Sequence, residues 1–180
     1  MKRCEWVEGK PEFYLDYHDR VWGKACHDDQ DLFKWLVLET FSTGLSWQII
    51  LSKKTAFEEA FDSFDVLTVS EYQEEKIAEL MANSAIVRHR GKIEASIQNA
   101  KAFLAIQEEF GQFDTYIWSF TDQKTLMRQS TERLTQSYLS DNITADLKKR
   151  GFKWVGSVTI YSYLQAIGII NDHDPNCTFK

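Results

Sequence analysis

Apolar positions along this chain recur at intervals of three and four, the spacing of helices packed by one face. In "DDQDLFKWLVLETFS", an Asp cap precedes Leu32, Phe33, Leu36 and Val37, which form one stripe. "LSWQIILSKKTAFEEAF" follows, with Trp47, Ile50 and Leu51 on a common face. Ser70 and Gln73 in "SEYQEEKIAELMAN" have the spacing of a capping box. "GKIEASIQNAKAFLAIQEEF" sets Ile93, Ile97, Ala100 and Leu104 along another helix, and "TADLKKRG" ends in cations and a Gly, as helix C-termini do. Ser157 is placed to cap the last helix, "VTIYSYLQAIG", whose β-branched residues suit a strand as well. No stretch carries a hairpin signal. The pattern predicts an all-α fold. Two prolines, eight glycines and no low-complexity linker make residues 1–180 one domain, or two helical lobes sharing a core.

A chain that is 43% hydrophobic can fill such a core. Six Trp, seven Tyr and twelve Phe are many for 180 residues, and the surplus raises the question of a stacking pocket. The start, "MKRCEWVEGK", has no apolar run after its basic residues, so no secretory signal is expected. No stretch reaches the roughly 20 apolar residues that span a bilayer. The expected location is cytoplasmic, where three cysteines favour free thiols or metal ligation over disulfides. A net charge of −6 counts against nucleic-acid binding as a global property, but "RHRGK" at 88–92 and "KKRGFK" at 148–153 are local basic runs.

Two further features carry chemistry. Cys4 and His18 lie near the start, His173 and Cys177 at the end. Cys thiolates and His imidazoles are the usual ligands of tetrahedral zinc, and four protein ligands would leave no open position, making the site structural. H-x3-C is a metal-like spacing; thirteen residues between Cys4 and His18 is not, and Cys26-His27 is a competing pair. Glu39 interrupts the apolar "LVLETF". It is either a solvent-facing position or a buried acid with a purpose.

Several stretches, in order, resemble one family: "RCEWV" (3–7), "YLDYHDRVWG" (14–23), "LFKWLVLETFSTGLSW" (32–47), "IVRHRGKI" (86–93), "WSF" (118–120), "LKKRGFKWVG" (147–156) and "NDHDPNC" (171–177). The chain is similar to the DNA-3-methyladenine glycosylase I family of helix-hairpin-helix base-excision enzymes. The resemblance implies that fold, with a structural zinc on Cys4, His18, His173 and Cys177 joining the two ends. It implies a monomer that binds double-stranded DNA containing 3-methyladenine and hydrolyses the N-glycosidic bond without a lyase step. Trp6, Tyr14, Tyr17, Trp22 and Trp47 would line the base pocket. Glu39 would be the catalytic carboxylate, reading the adenine edge. Arg88, Arg90 and Lys92 of the hairpin would hold DNA phosphates.

Two departures stand out. Ser42-Thr43 replaces the family's Gln-Ala, which removes amides from one pocket wall, and Ala85 replaces a Gly before the hairpin. The first keeps open a non-catalytic, zinc-stabilised helix-hairpin-helix DNA-binding module; the second bears on turn geometry. A zinc-stabilised protein-interaction domain is the third class, favoured by the acidic net charge and not by the clustered basic runs.

Overall fold

The computed structural model describes residues 1–128 and 132–180. Ten α-helices among the described residues carry the fold, in line with the helical class that the hydrophobic period predicts. They are α1 (Glu12–Arg20), α2 (Asp29–Ser42), α3 (Trp47–Ser52), α4 (Lys54–Ala60), α5 (Val66–Ser70), α6 (Glu74–Ala82), α7 (Arg90–Phe110), α8 (Phe113–Ser119), α9 (Tyr138–Lys149) and α10 (Ser157–Ala166). No helix among the described residues is long and apolar enough to cross a membrane.

Helix α2 is the axle. Asp28 caps it by accepting a hydrogen bond from the Asp31 N–H at 2.9 Å, an arrangement worth about 1 kcal/mol. The sequence pattern gave α2 one apolar stripe, yet it is buried on nearly every side, from Leu32 and Phe33 through Trp35 to Phe41. The reason is its position: α3, α7, α8 and α10 all pack against it. A helix surrounded in this way can bring a polar group such as Glu39 into the interior only where the packing leaves a cavity.

Some local signals resolve differently from their sequence patterns. Ser70 ends α5 and donates to the Leu67 carbonyl at 2.7 Å, while Gln73 merely precedes α6, so the expected capping box is absent. Gly156, not Ser157, precedes α10, and the Ser157 hydroxyl instead bonds Ser140 and Asp141 at the start of α9. The stretch from Trp47 to Ala60 breaks into α3 and α4 at Lys53. The β-branched residues of α10 are helical, because this helix lies in the core between α2 and α9.

One small parallel pairing escapes any period-2 signal: β1 (Leu126–Met127) beside β2 (Ile170–Asn171). It holds the C-terminal segment in place just after α10. At the end of α10, Gly168 has φ +75°, and a Cβ there would come within 2.1 Å of the Lys24 backbone. Only glycine lets the 23–26 loop pass. That loop is fastened by Gly23 N–H to the Gln165 carbonyl at 2.8 Å and Cys26 N–H to the Ile167 carbonyl at 3.0 Å. The two chain ends also meet, Thr178 N–H donating to the Lys2 carbonyl at 2.8 Å. Start and finish of the chain are thereby brought to one side of α10, where the candidate site lies.

Candidate functional site

A cavity of about 430 Å³ opens between α1, α2, α3 and α10. All five aromatic residues expected to form a pocket line it: Trp6, Tyr14, Tyr17, Trp22 and Trp47. Trp6 meets Tyr14 edge-on at 5.7 Å and Trp22 at 4.8 Å. Tyr17 meets Trp47 edge-on at 5.4 Å on the other side. Tyr14 and Tyr17 share a face of α1, three residues apart in a helix. Burial raises both phenols, Tyr17 well above its ordinary value, and the nearby Glu39 charge adds to the effect. They stay neutral at working pH.

Glu39 lines the same cavity and is only 4% exposed. Desolvation pushes its carboxyl up to about 8, with Ser42 pulling slightly the other way. The acid therefore carries its proton in the empty cavity at neutral pH. A cation entering beside it favours the ionised form again. This environment suits a flat, positively charged ring: aromatic walls attract its charge by roughly 0.5–2 kcal/mol per favourable contact, and one carboxyl can reach its polar edge.

Behind Trp6 and Trp22 lies a second cluster. The ligand atoms of Cys4, His18 and Cys177, all buried, lie within 4.8 Å of one another. Cys177 Sγ is 3.8 Å from His18 Nε2, close to the separation of two vertices of a zinc tetrahedron. His18 Nδ1 faces Asp19 at 2.8 Å, and His173 Nδ1 faces the Asn171 side-chain oxygen at 2.9 Å. Metal-bound histidines are commonly oriented by such a bond on their other nitrogen. His173 stands outside the tight trio, its ring centroid 4.8 Å from that of His18 and its Nε2 3.3 Å from the His18 carbonyl. The donor set and its orienting bonds fit a tetrahedral soft-ligand ion. Cys26 and His27, the competing pair, are elsewhere; His27 bonds Asp114 at 2.7 Å. The cluster touches the cavity wall directly: His18 of the trio packs on Trp6 at 5.4 Å, and His173 beside it packs on Trp22 at 4.7 Å.

The three cations expected at the hairpin have separate fates. Arg88 is exposed and makes no ion pair among the described residues. Arg90 is exposed too, but bonds Glu74 at 2.6 Å and Glu94 at 2.8 Å. Lys92 corrects the sequence reading. Its side chain is buried and donates to the Phe41 carbonyl at 2.9 Å and the Thr43 carbonyl at 2.6 Å. Those carbonyls are left over at the C-terminus of α2, where a cation is favoured. The amine fastens α7 to the end of α2 instead of facing a phosphate. In the second basic run, Arg150 is held by Asp146 and Glu109.

A family model described as methyladenine glycosylase matches residues 6–180. DNA-3-methyladenine glycosylase 1 of Escherichia coli K12 is 40% identical over 180 residues, 98% of this chain and 96% of that protein. The chain belongs to the methyladenine glycosylase family. A DNA-3-methyladenine glycosylase from Haemophilus influenzae is 38% identical over 99% of this chain and 97% of its own length. A solved variant of 3-methyladenine DNA glycosylase I, in complex with 3-methyladenine, superposes with a TM-score of 0.95 at 38% identity, covering 100% of this chain and 98% of that one.

Within this family member both departures have a place. Ser42 lines the cavity and donates to the Glu39 carbonyl at 2.8 Å, with its hydroxyl 3.3 Å from Glu39 Oε2, so it touches the acid directly. Thr43 turns away, toward Thr159. Ala85 is not among the residues with positive φ, so the turn needs no glycine there. Sequence reasoning missed the wall formed by Ser162, Gln165 and Asp172. A signal was available for two of them: Ser162 and Gln165 are three apart, polar positions among the apolar residues of α10, whereas Asp172 carried none.

Proposed function

We propose that this chain hydrolyses the N-glycosidic bond of 3-methyladenine in alkylated double-stranded DNA, acting as a monomer. The observation that carries the reading is the cavity itself: five aromatic residues and the buried Glu39 carboxyl converge on a space that can hold a single base. A DNA-binding module without catalysis has no use for such a cavity. Because a duplex hides the base, the nucleotide must be turned out of the stack before the cavity can hold it.

Alkylation at N3 leaves the adenine ring positively charged and already a good leaving group. The bond to the sugar breaks with its electron pair going to the base, which departs neutral. Water then adds to the electron-poor sugar carbon. The protein's task is to bind, orient and shield. Glu39 accepts from the exocyclic amine of adenine; guanine presents an oxygen at that position, which a carboxylate repels.

The DNA grip is assigned to α6, the turn after it and the start of α7, read as a helix-hairpin-helix unit with Arg88 as its exposed cation. Cys4, His18, His173 and Cys177 are assigned to one structural zinc, which holds the chain ends together and sets Trp6 and Trp22. Support comes from the donor set and from the bonds that orient both imidazoles.

The test is chromatography of the bases released from methylated duplex DNA by the purified protein. The expected product is 3-methyladenine, with Arg88→Ala slowing release at limiting protein and lowering the salt dependence of DNA binding by about one phosphate contact. A protein that releases no methylated purine contradicts the proposal.

A further inference from the structure

The cavity contains a second acid. Asp172 is 5% exposed and lines the wall formed with Ser162 and Gln165. Its Oδ2 accepts two hydrogen bonds, from the Tyr161 hydroxyl and from Gln165 Nε2, each at 2.7 Å. Its Oδ1 has no hydrogen-bond partner among the described residues. Among the described residues the buried side-chain atoms without a partner are Thr40 Oγ1, Arg128 Nη1 and Thr144 Oγ1, so Oδ1 is an accessible oxygen on a side chain of the cavity wall. Neither nearby cation bonds it: Arg133, at the same wall, is taken up by Asp174 at 3.0 and 2.9 Å to its two oxygens, and Arg128, which borders the adjoining cavity with Asp172, donates to Asp174 at 2.7 Å. What the cavity leaves open at Oδ1 is a place for positive charge.

We propose that Asp172 is the second carboxylate of the reaction, whose negative charge faces the positively charged nucleotide while the glycosidic bond breaks. The inference rests on the base-excision reading above and divides the labour between two acids. Glu39 reads the base by hydrogen bonding. Asp172 supplies a fixed charge that counters the cation, first on the methylated base and then on the sugar as the electron pair moves to the base. Water adds its oxygen to the sugar carbon and gives its proton to solvent, so no proton need pass through Asp172. Tyr161 and Gln165 hold the group in place before the substrate arrives, which is the condition under which a charge is most effective. Nothing in the spacing of the sequence marks this residue, since it lies beside His173 in a segment whose evident chemistry is metal ligation.

The competing role is mechanical: Asp172 ties the segment after β2 to α10 through the same two bonds. Asp172→Asn and Tyr161→Phe separate the roles. The first keeps an acceptor oxygen and removes the charge; the second keeps the charge and removes one tie. In single-turnover release of 3-methyladenine at saturating protein, Asp172→Asn is expected to lose on the order of 100-fold in rate, the scale of removing one preorganised charge-stabilising group. Its melting temperature, metal content and affinity for duplex DNA with an uncharged tetrahydrofuran abasic site are expected to match the wild type. Tyr161→Phe, which keeps the charge and loosens only one of its two holds, is expected to lose clearly less rate than Asp172→Asn. An Asp172→Asn rate equal to wild type overturns the inference. So does a loss shared by both variants with a parallel fall in melting temperature or in abasic-site binding, failure to fold included, since that is the signature of a tie. A wild-type protein that releases no base overturns instead the base-excision reading, and is told apart by that alone.

Discussion

Glu39→Gln is expected to slow base release on the order of 100-fold, as loss of one buried catalytic polar group does, and at the same time to make the protein increasingly more stable than the wild type as pH rises above the ordinary glutamate range. Both effects come from the same desolvated position on α2. The carboxyl sits at about 8 in the folded chain against an ordinary value of 4.5. Between those values the folded protein holds a proton that the unfolded chain has released, so wild-type stability falls as pH rises through this window. A shift of this size corresponds to something on the order of 3–5 kcal/mol once the pH passes 8. Glutamine fills the same space, keeps the contact with Ser42 and has nothing to titrate. Urea unfolding of both proteins at pH 5, 6.5 and 8 is expected to show little difference at the first and a growing advantage for the variant at the others. A constant difference across pH means that Glu39 is not the group described here. The trade is physically required: a site that must accept a cation is built around an acid that the empty fold would sooner keep neutral.

The second large effect concerns the cluster where the chain ends meet. Elemental analysis is expected to find about one zinc per chain, the stoichiometry of one closed tetrahedral site. Chelation, or Cys177→Ser, is expected to lower the melting temperature by about 10 °C or more, because a metal that binds only the folded geometry contributes directly to folding. Release should also slow, since His18 and His173 pack on Trp6 and Trp22 of the cavity. Cys26→Ser is expected to change neither property, as Cys26 lies outside the trio. Metal-free protein with unchanged melting would contradict the structural role.

How far the sequence reaches can be judged residue by residue. Helix positions were legible because a 3.6-residue apolar period survives wherever one face meets solvent; α7 carries Ile93, Ile97 and Ala100 inward as its pattern requires. Burial all around α2 was not, since the same residues satisfy a stripe or a full jacket, and only the neighbours decide. The five cavity aromatics and Glu39 were legible through their ordered motifs, not through periodicity, which cannot tell a core ring from a pocket wall. Lys92 shows the reverse error: a lysine beside two arginines suggests a phosphate grip, yet the unpaired carbonyls that claim its ammonium lie about fifty positions away. The two-residue parallel pairing of β1 and β2 is too short to leave a pattern. Asp172 went unseen because a single carboxylate acquires meaning only when the cavity it lines is known.

The central physical claim is that a methylated adenine ring is held among indoles and phenols with the Glu39 carboxyl at its edge. Titration of the protein with free 3-methyladenine, followed by tryptophan fluorescence, tests this most directly because Trp6, Trp22 and Trp47 all border the cavity. The account predicts saturable quenching at one ligand per chain, weakened in Glu39→Gln. Fluorescence that does not respond to the base, or responds identically in the variant, contradicts it.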